Sequence, residues 1–174
     1  MGSLDAQAST RLVSADITEL GPEHETEFRN LLLGLDKTAC SCRFAGAVSD
    51  SCLTRHSHQA LSAATRIAGA FVEEKLRGVV ELYEENCPQH VEAAFVVAEG
   101  WRQRGLGSAL MSDALNWAQR TGKRRLRMIF SRNNWPMRKL ASRADARFDL
   151  VLDEIVADVA VGRSPIGSTR GGFP

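Results

Sequence analysis

The run Val96-Val97-Ala98-Glu99-Gly100-Trp101-Arg102-Gln103-Arg104-Gly105-Leu106-Gly107-Ser108-Ala109-Leu110 carries the most specific chemistry in the chain. An apolar strand leads into a short basic turn, two glycines stand two apart, and an amphipathic helix begins. Glycine lets backbone approach a ligand closely, and a helix start presents unpaired N–H groups at the positive end of its dipole. Such a cradle suits a diphosphate, to which Arg102 and Arg104 add charge. A dinucleotide-binding G-x-G-x-x-G needs glycine or alanine where Leu110 stands, and the G-x-x-x-x-G-K-[ST] spacing is not met either. A second chemical residue is Glu92, which interrupts the otherwise apolar run Val91 to Ala98. A carboxylate in such a strand costs free energy unless it faces a wet cleft or has a partner.

Cys40, Cys42, Cys52, His56 and His58 fall within 19 residues and raise the question of a metal. C-x-C followed by C-x3-H departs from the usual spacings of structural zinc sites, so no metal is expected. These residues read instead as small buried or half-buried positions on a helix and its approach. The four cysteines show no spacing of a secreted disulfide framework.

The elements that must position these residues follow from periodicity. Thr10 to Ile17 alternates weakly and reads as a strand. Gly21-Pro22-Glu23 opens a helix to about Leu35, with Phe28, Leu31 and Leu32 on one face. Cys40 to Val48 reads as a loop, after which Ser49-Asp50 cap a helix to about Leu61. From Thr65 the period becomes two, and a hairpin turns at Glu73-Glu74-Lys75 into Leu76 to Glu84. Val91 to Ala98 is a central strand with both faces buried. Gly105 to Thr121 is a helix closed by Gly122, followed by a strand from Arg124 to Phe130. A helix from Asn133 to about Ala144, with Trp135 as its cap, and strands Phe148 to Leu152 and Ile155 to Val161 complete the chain. The expected fold is α/β, a mixed sheet flanked by about four helices, over a single domain from 10 to 161 with flexible tails 1–9 and 162–174.

With 174 residues, 44% apolar and 25% charged, the chain has the makeup of one globular domain. No apolar run reaches the roughly 18 residues of a spanning helix, and Met1 to Arg11 lacks a signal-peptide layout, so a cytoplasmic protein without a membrane segment is expected. Net charge is only +1, yet residues 1–100 hold 8 basic and 15 acidic side chains while 101–147 hold 12 basic and 2 acidic. The basic block suits a polyanionic ligand, and the acidic half a cationic partner. Nucleic acid is the weaker choice of polyanion, because aromatic interleaving is limited to Trp101, Trp117, Phe130 and Trp135 and no binding motif accompanies it.

Arg102-Gln103-Arg104-Gly105-Leu106-Gly107 matches a (Q/R)-x-x-G-x-(G/A) signature, and its flanking strand and helix, the strand from Arg124, and Asn134 with Met137 and Leu140 follow in order. Together they resemble the acetyl-CoA-binding segments of the GNAT superfamily of N-acetyltransferases. The resemblance implies parallel strands at 91–98 and 124–130 that splay apart, with the pantetheine arm of acetyl-CoA between them. It implies that Phe95, Val96 and Val97 bind that arm through backbone, that Arg102, Gln103, Arg104, Gly105, Leu106, Gly107 and Ser108 hold the diphosphate, and that Asn134 approaches the pantetheine. A homodimer is the assembly it suggests.

The implied reaction is direct acetyl transfer to an amine. An alkyl amine of pKa about 10.4 must lose a proton before or during attack. Glu92 stands where many members carry a glutamate as general base. The tyrosine that often serves as acid falls, on the same comparison, at Ala141; Tyr83, the sole tyrosine, is the substitute candidate. A thiol of pKa about 8.5 also leaves as thiolate without an acid. Arg43-Phe44 resembles an arginine-phenylalanine pair of some bacterial members, in the region that builds their acceptor site; a surface arginine beside a core phenylalanine is the alternative. Ala144-Asp145-Ala146-Arg147-Phe148 replaces a usual glycine, with Asp145 as the left-handed helix end. The missing tyrosine motivates an alternative from another class, a non-catalytic acetyl-CoA sensor.

Overall fold

The computed structural model describes residues 13–44 and 46–162. Its elements are β1 (Asp16–Glu19), α1 (Glu25–Leu33), α2 (Lys37–Phe44), α3 (Asp50–Ala63), β2 (Arg66–Val72), β3 (Lys75–Glu84), β4 (His90–Val97), α4 (Leu106–Arg120), β5 (Arg125–Ser131), α5 (Trp135–Arg143), β6 (Arg147–Val151) and β7 (Glu154–Ala160). The strands form one sheet in the order β1-β2-β3-β4-β5-β7-β6. Every neighbouring pair is antiparallel except β4 and β5. The mixed α/β sheet expected from periodicity is therefore present, with β4 at its centre.

Alternation along β4 divides the core into two layers. Val91, Ala93 and Phe95 pack with Leu106, Leu110, Met111, Ala114 and Ala118 of α4 and with Ala141 of α5. On the other face Val96 joins Val79, Ile67 and the buried faces of α1 and α3 at Phe28, Leu31, Leu32, Leu53 and Ala60. Trp117 packs half-buried against the α4 layer, as a core residue should.

Three local expectations need correction. Cys40 to Val48 is not all loop, because α2 occupies Lys37–Phe44. Its start is set by Asp36, whose Oδ1 accepts the Ala39 N–H at 2.8 Å in an N-cap bond, although the helix has little apolar periodicity to announce it. Among the described residues five α-helices flank the sheet, where about four were expected. Trp135 is the first residue of α5 rather than its cap; Asn134 is the cap, its Oδ1 accepting from Met137 N at 3.2 Å. The first strand begins at Asp16, and residues 10–12 of the expected strand lie outside the described residues, as do 1–9 and 163–174.

Turn chemistry behaves as the sequence suggests. Glu73 and Glu74 take positive φ of 51° and 59° between β2 and β3, and Gly122 follows α4 at φ 75°. Asp145 does provide the left-handed residue after α5, at φ 55°.

Candidate active site

The parallel ladder between β4 and β5 has only three pairs, His90 with Arg125, Val91 with Leu126 and Glu92 with Arg127. Beyond Glu92 the strands separate, while β4 remains paired with β3 as far as Val97 opposite Gly78. The edge of β4 that faces away from β3 therefore carries the backbone groups of Ala93, Phe95 and Val97 toward a gap, while those of Val96 point to β3 and the Val97 carbonyl accepts from Arg102. Unpaired strand edges are ready partners for an extended ligand.

At the far end of β4 lies the glycine turn. Gln103 and Gly105 adopt left-handed backbone, at φ 60° and 92°. Gly105 is the N-cap of α4. Among the described residues, the N–H groups of Gln103, Arg104, Gly105, Leu106, Gly107 and Ser108 donate to no protein acceptor. Left-handed residues beside a helix N-terminus are the backbone arrangement that takes up anions. Gly107 abuts α5, where an added Cβ would meet Leu140 Cδ2 at 3.6 Å.

The basic side chains of this turn are engaged elsewhere. Arg102 donates to Asp36 Oδ2 at 2.6 Å and to the Val97 carbonyl at 3.2 Å, joining the cap of α2 to the end of β4. The Ala39 N–H and then Arg102 hold the Asp36 carboxyl below its ordinary range. Arg104 and Arg77 lie over the Trp101 ring at 5.1 and 4.8 Å. The Asn134 side-chain oxygen is taken by the α5 cap, which leaves its amide nitrogen to donate.

Where the ladder ends, an open cleft of about 500 Å³ is lined by Tyr83, Glu84, Glu85, Asn86, Cys87, Glu92, Arg127 and Ile129. Glu92 is half-buried there, between its cross-strand partners Tyr83 and Arg127. Burial, and then the charge of Glu85, raise its pKa above the ordinary carboxylate value, while Arg43 and Arg127 oppose the rise. Arg127 itself is held by Asp158 at 2.9 Å.

Sequence reasoning passed over Glu81, the one buried carboxylate among the described residues. Its Oε1 accepts from Arg43 of α2 at 2.6 Å; its Oε2 accepts from His56 of α3 at 2.8 Å and from the Tyr83 hydroxyl at 2.7 Å. Burial opposes its ionisation, but Arg43, His56 and Tyr83 outweigh that and hold its pKa down to about 2. The signal available was a glutamate in the apolar run of β3, the same anomaly that drew attention to Glu92.

This arrangement relocates several predicted residues. Tyr83 faces the cleft, yet its proton is committed to Glu81, and burial followed by the Glu81 charge raises its pKa. Arg43 reaches Glu81, and Phe44 packs edge-on against His56 at 5.1 Å. His58 turns the other way to Glu25, so the Cys/His-rich stretch is pulled apart, with Cys40 buried and Cys42 and Cys52 half-buried. Ala141 is fully buried in the α4 layer and brings no hydroxyl to the cleft.

A family model described as the acetyltransferase (GNAT) family matches residues 36–144. Solved structures share the fold at low identity. The GNAT domain of S. lividans PAT has a TM-score of 0.72 at 16% identity, covering 84% of this chain and 90% of its own. PaiA N-acetyltransferase from Thermoplasma acidophilum, solved in complex with coenzyme A, has a TM-score of 0.68 at 13% identity, covering 85% and 99%. A GNAT acetyltransferase from Streptococcus pneumoniae has a TM-score of 0.65 at 17% identity, covering 86% and 100%. No curated protein matches the sequence.

Proposed function

The chain belongs to the GNAT acetyltransferase family, with acetyl-CoA as acyl donor, and on that premise we propose that it transfers acetyl to a primary amine by direct attack, with Glu92 as general base. The observation that carries the reading is the position of Glu92, at the last pair before β4 and β5 separate. A pantetheine arm bonded to the open edge at Phe95 and Val97, passing Val96, with its diphosphate on the amides of Gln103 to Ser108, delivers its thioester toward that carboxylate. The raised pKa of Glu92 makes it a stronger base than an exposed glutamate.

In the proposed step the amine nitrogen forms a bond to the thioester carbon, and the amine proton passes to Glu92 directly or through water. A backbone N–H of β4 polarises the carbonyl oxygen as the carbon becomes tetrahedral. The C–S bond then breaks, and coenzyme A departs as thiolate, whose pKa near about 8.5 makes a dedicated acid dispensable. Asn134 offers its amide nitrogen to the pantetheine. Arg102 acts from the Asp36 pair rather than as a direct phosphate ligand, and Arg104 lends charge above Trp101.

The acceptor enters beside Tyr83 and the carboxylates Glu84, Glu85 and Glu92, whose acidic character favours a cationic amine: a protein lysine, a polyamine or a small amine. The reading takes 10–161 as the extent of the domain. It includes a cytoplasmic location, and a homodimer that rests on the family resemblance.

The test is coenzyme A release from acetyl-CoA across a panel of lysine peptides, polyamines and small amines. Transfer to at least one cationic amine, lowered by about 100-fold or more in Glu92→Gln, is expected. Tight acetyl-CoA binding with no transfer to any amine would instead support the sensor.

A further inference from the structure

A buried, ionised carboxylate is an expensive way to join helices to a sheet. Taking charges out of water costs several kcal/mol per ion even after relaxation, and apolar replacements of similar volume often stabilise. Glu81 is nevertheless fully buried and ionised, held by groups from α2, α3 and its own strand. Its strand position shows what else it governs. Glu81 pairs across β3–β4 with Ala94, and Tyr83 with Glu92, so Glu81 and Glu92 lie diagonally on one face of the sheet. Diagonal neighbours of this kind are separated by roughly 7–8 Å.

Arg43 bonds to Glu81 through one of its terminal nitrogens, its Nε is buried without an acceptor, and its charge also acts on Glu92. A guanidinium with a spare donor readily forms an ion pair with a second carboxylate. We propose that Glu81 is a positioning residue for the transfer: by holding the Arg43 guanidinium, it keeps that cation from pairing with Glu92 and so preserves Glu92 as a free base. The proposal rests on the assignment of Glu92 as base. The other groups facing Glu92 are Tyr83 and Glu85 from β3 and its following turn, Arg127 from β5 and Glu154 from β7. Arg127 is held by Asp158, which leaves Arg43 as the cation whose partner decides the balance. His56 is turned to Glu81, and its ring is boxed by Phe28 and Phe44.

The experiment compares the pH dependence of kcat/KM for the wild type, Glu81→Gln, Arg43→Gln, the double variant and Glu92→Gln, each checked for a folded state by circular dichroism. In Glu81→Gln the released Arg43 pairs with Glu92, so the acid limb moves down by about one pH unit or more, the usual effect of a close opposite charge on a carboxylate. In Arg43→Gln the limb moves up, because Glu92 loses a cation and still faces the Glu81 charge. The double variant lies between. A residue that merely holds α2 and α3 in place would lower activity or stability without moving the limb in opposite directions. An acid limb that disappears in Glu92→Gln yet stays in place in Glu81→Gln overturns the proposal alone. A limb that survives Glu92→Gln overturns the base assignment and this proposal with it. Should Glu81→Gln fail to fold, Arg43→Gln decides: an upward shift supports the proposal and an unmoved limb overturns it.

Discussion

Glu92 and Arg127 are the last paired residues of the β4–β5 ladder, so the proposed base stands where the sheet opens. The two lie side by side, but Arg127 is committed to Asp158 on β7 and does not form an ion pair with Glu92. A carboxylate left this way, half-buried and near Glu85, keeps a raised pKa.

Glu92→Gln is accordingly expected to lower kcat/KM by about 100-fold or more, in the range of positioned general bases, while acetyl-CoA affinity stays the same. The same substitution is expected to raise thermal stability at neutral pH. A carboxyl with a raised folded pKa binds its proton more tightly in the folded than in the unfolded chain, so its stabilising contribution is present at low pH and lost as pH rises through the folded pKa. Steady-state kinetics, calorimetric titration and thermal melts read the three effects separately. A melting temperature that falls at pH 7.5 would contradict the assigned pKa direction.

The glycines of the turn are not equivalent. Gly105 takes φ 92°, where any side chain is strained, whereas an alanine methyl at 107 meets Leu140 at an ordinary 3.6 Å. Gly105→Ala is expected to weaken coenzyme A binding about 10-fold or more, since left-handed strain of about 1–3 kcal/mol falls on the residue that shapes the cradle. Gly107→Ala is expected to fold normally and bind within about threefold of wild type, a difference of well under 1 kcal/mol. Titration with coenzyme A distinguishes them, and equal losses would show that the cradle is not shaped by Gly105.

Tyr83→Phe tests the substitute acid. Because the hydroxyl donates to Glu81 and its pKa is raised, the variant is expected to keep kcat within about 10-fold of wild type, less than the contribution of a positioned acid or base. It is expected to lose about 1.5–3 kcal/mol of stability, the worth of a hydrogen bond to a charged group. A kcat loss as large as that of Glu92→Gln would restore Tyr83 as a proton donor.

Acid stability reports on Glu81. In the unfolded chain its pKa is near about 4.3, and in the folded chain about 2. The unfolded state therefore takes up the proton first, and the stability Glu81 contributes is present above about pH 4.3 and lost as pH falls toward about 2. The unfolding free energies of wild type and the Glu81→Gln, Arg43→Gln double variant should converge over that interval in urea titrations at successive pH values. A gap that widens on acidification would contradict the depressed pKa.

Much of the architecture was legible from local chemistry. Period-two alternation over Ile67 to Phe71, an apolar run broken only by Glu92, and the amphipathic stretch closed by Gly122 each specify their element through which faces must be buried. The glycine turn was legible for the same reason, because residues 102–107 are contiguous and their backbone demands are local. α2 was not, since its start depends on a single Asp36 cap and its sequence is not strongly amphipathic.

The sequence by itself thus determined the order of the strands and of the helices other than α2, the glycine turn and an anomalous carboxylate in β4. Tertiary structure alone decided which charges meet. The basic block of 101–147 is dispersed among acids from other elements, Arg102 to Asp36, Lys123 to Glu84, and Arg125 and Arg127 to Asp158. It also brought Arg43, His56 and Tyr83 onto Glu81 from positions up to 38 residues away. Ion pairs depend on separation in space and on exclusion of water, and neither quantity exists until the sheet has aligned β3 with β4 and the helices have closed over it.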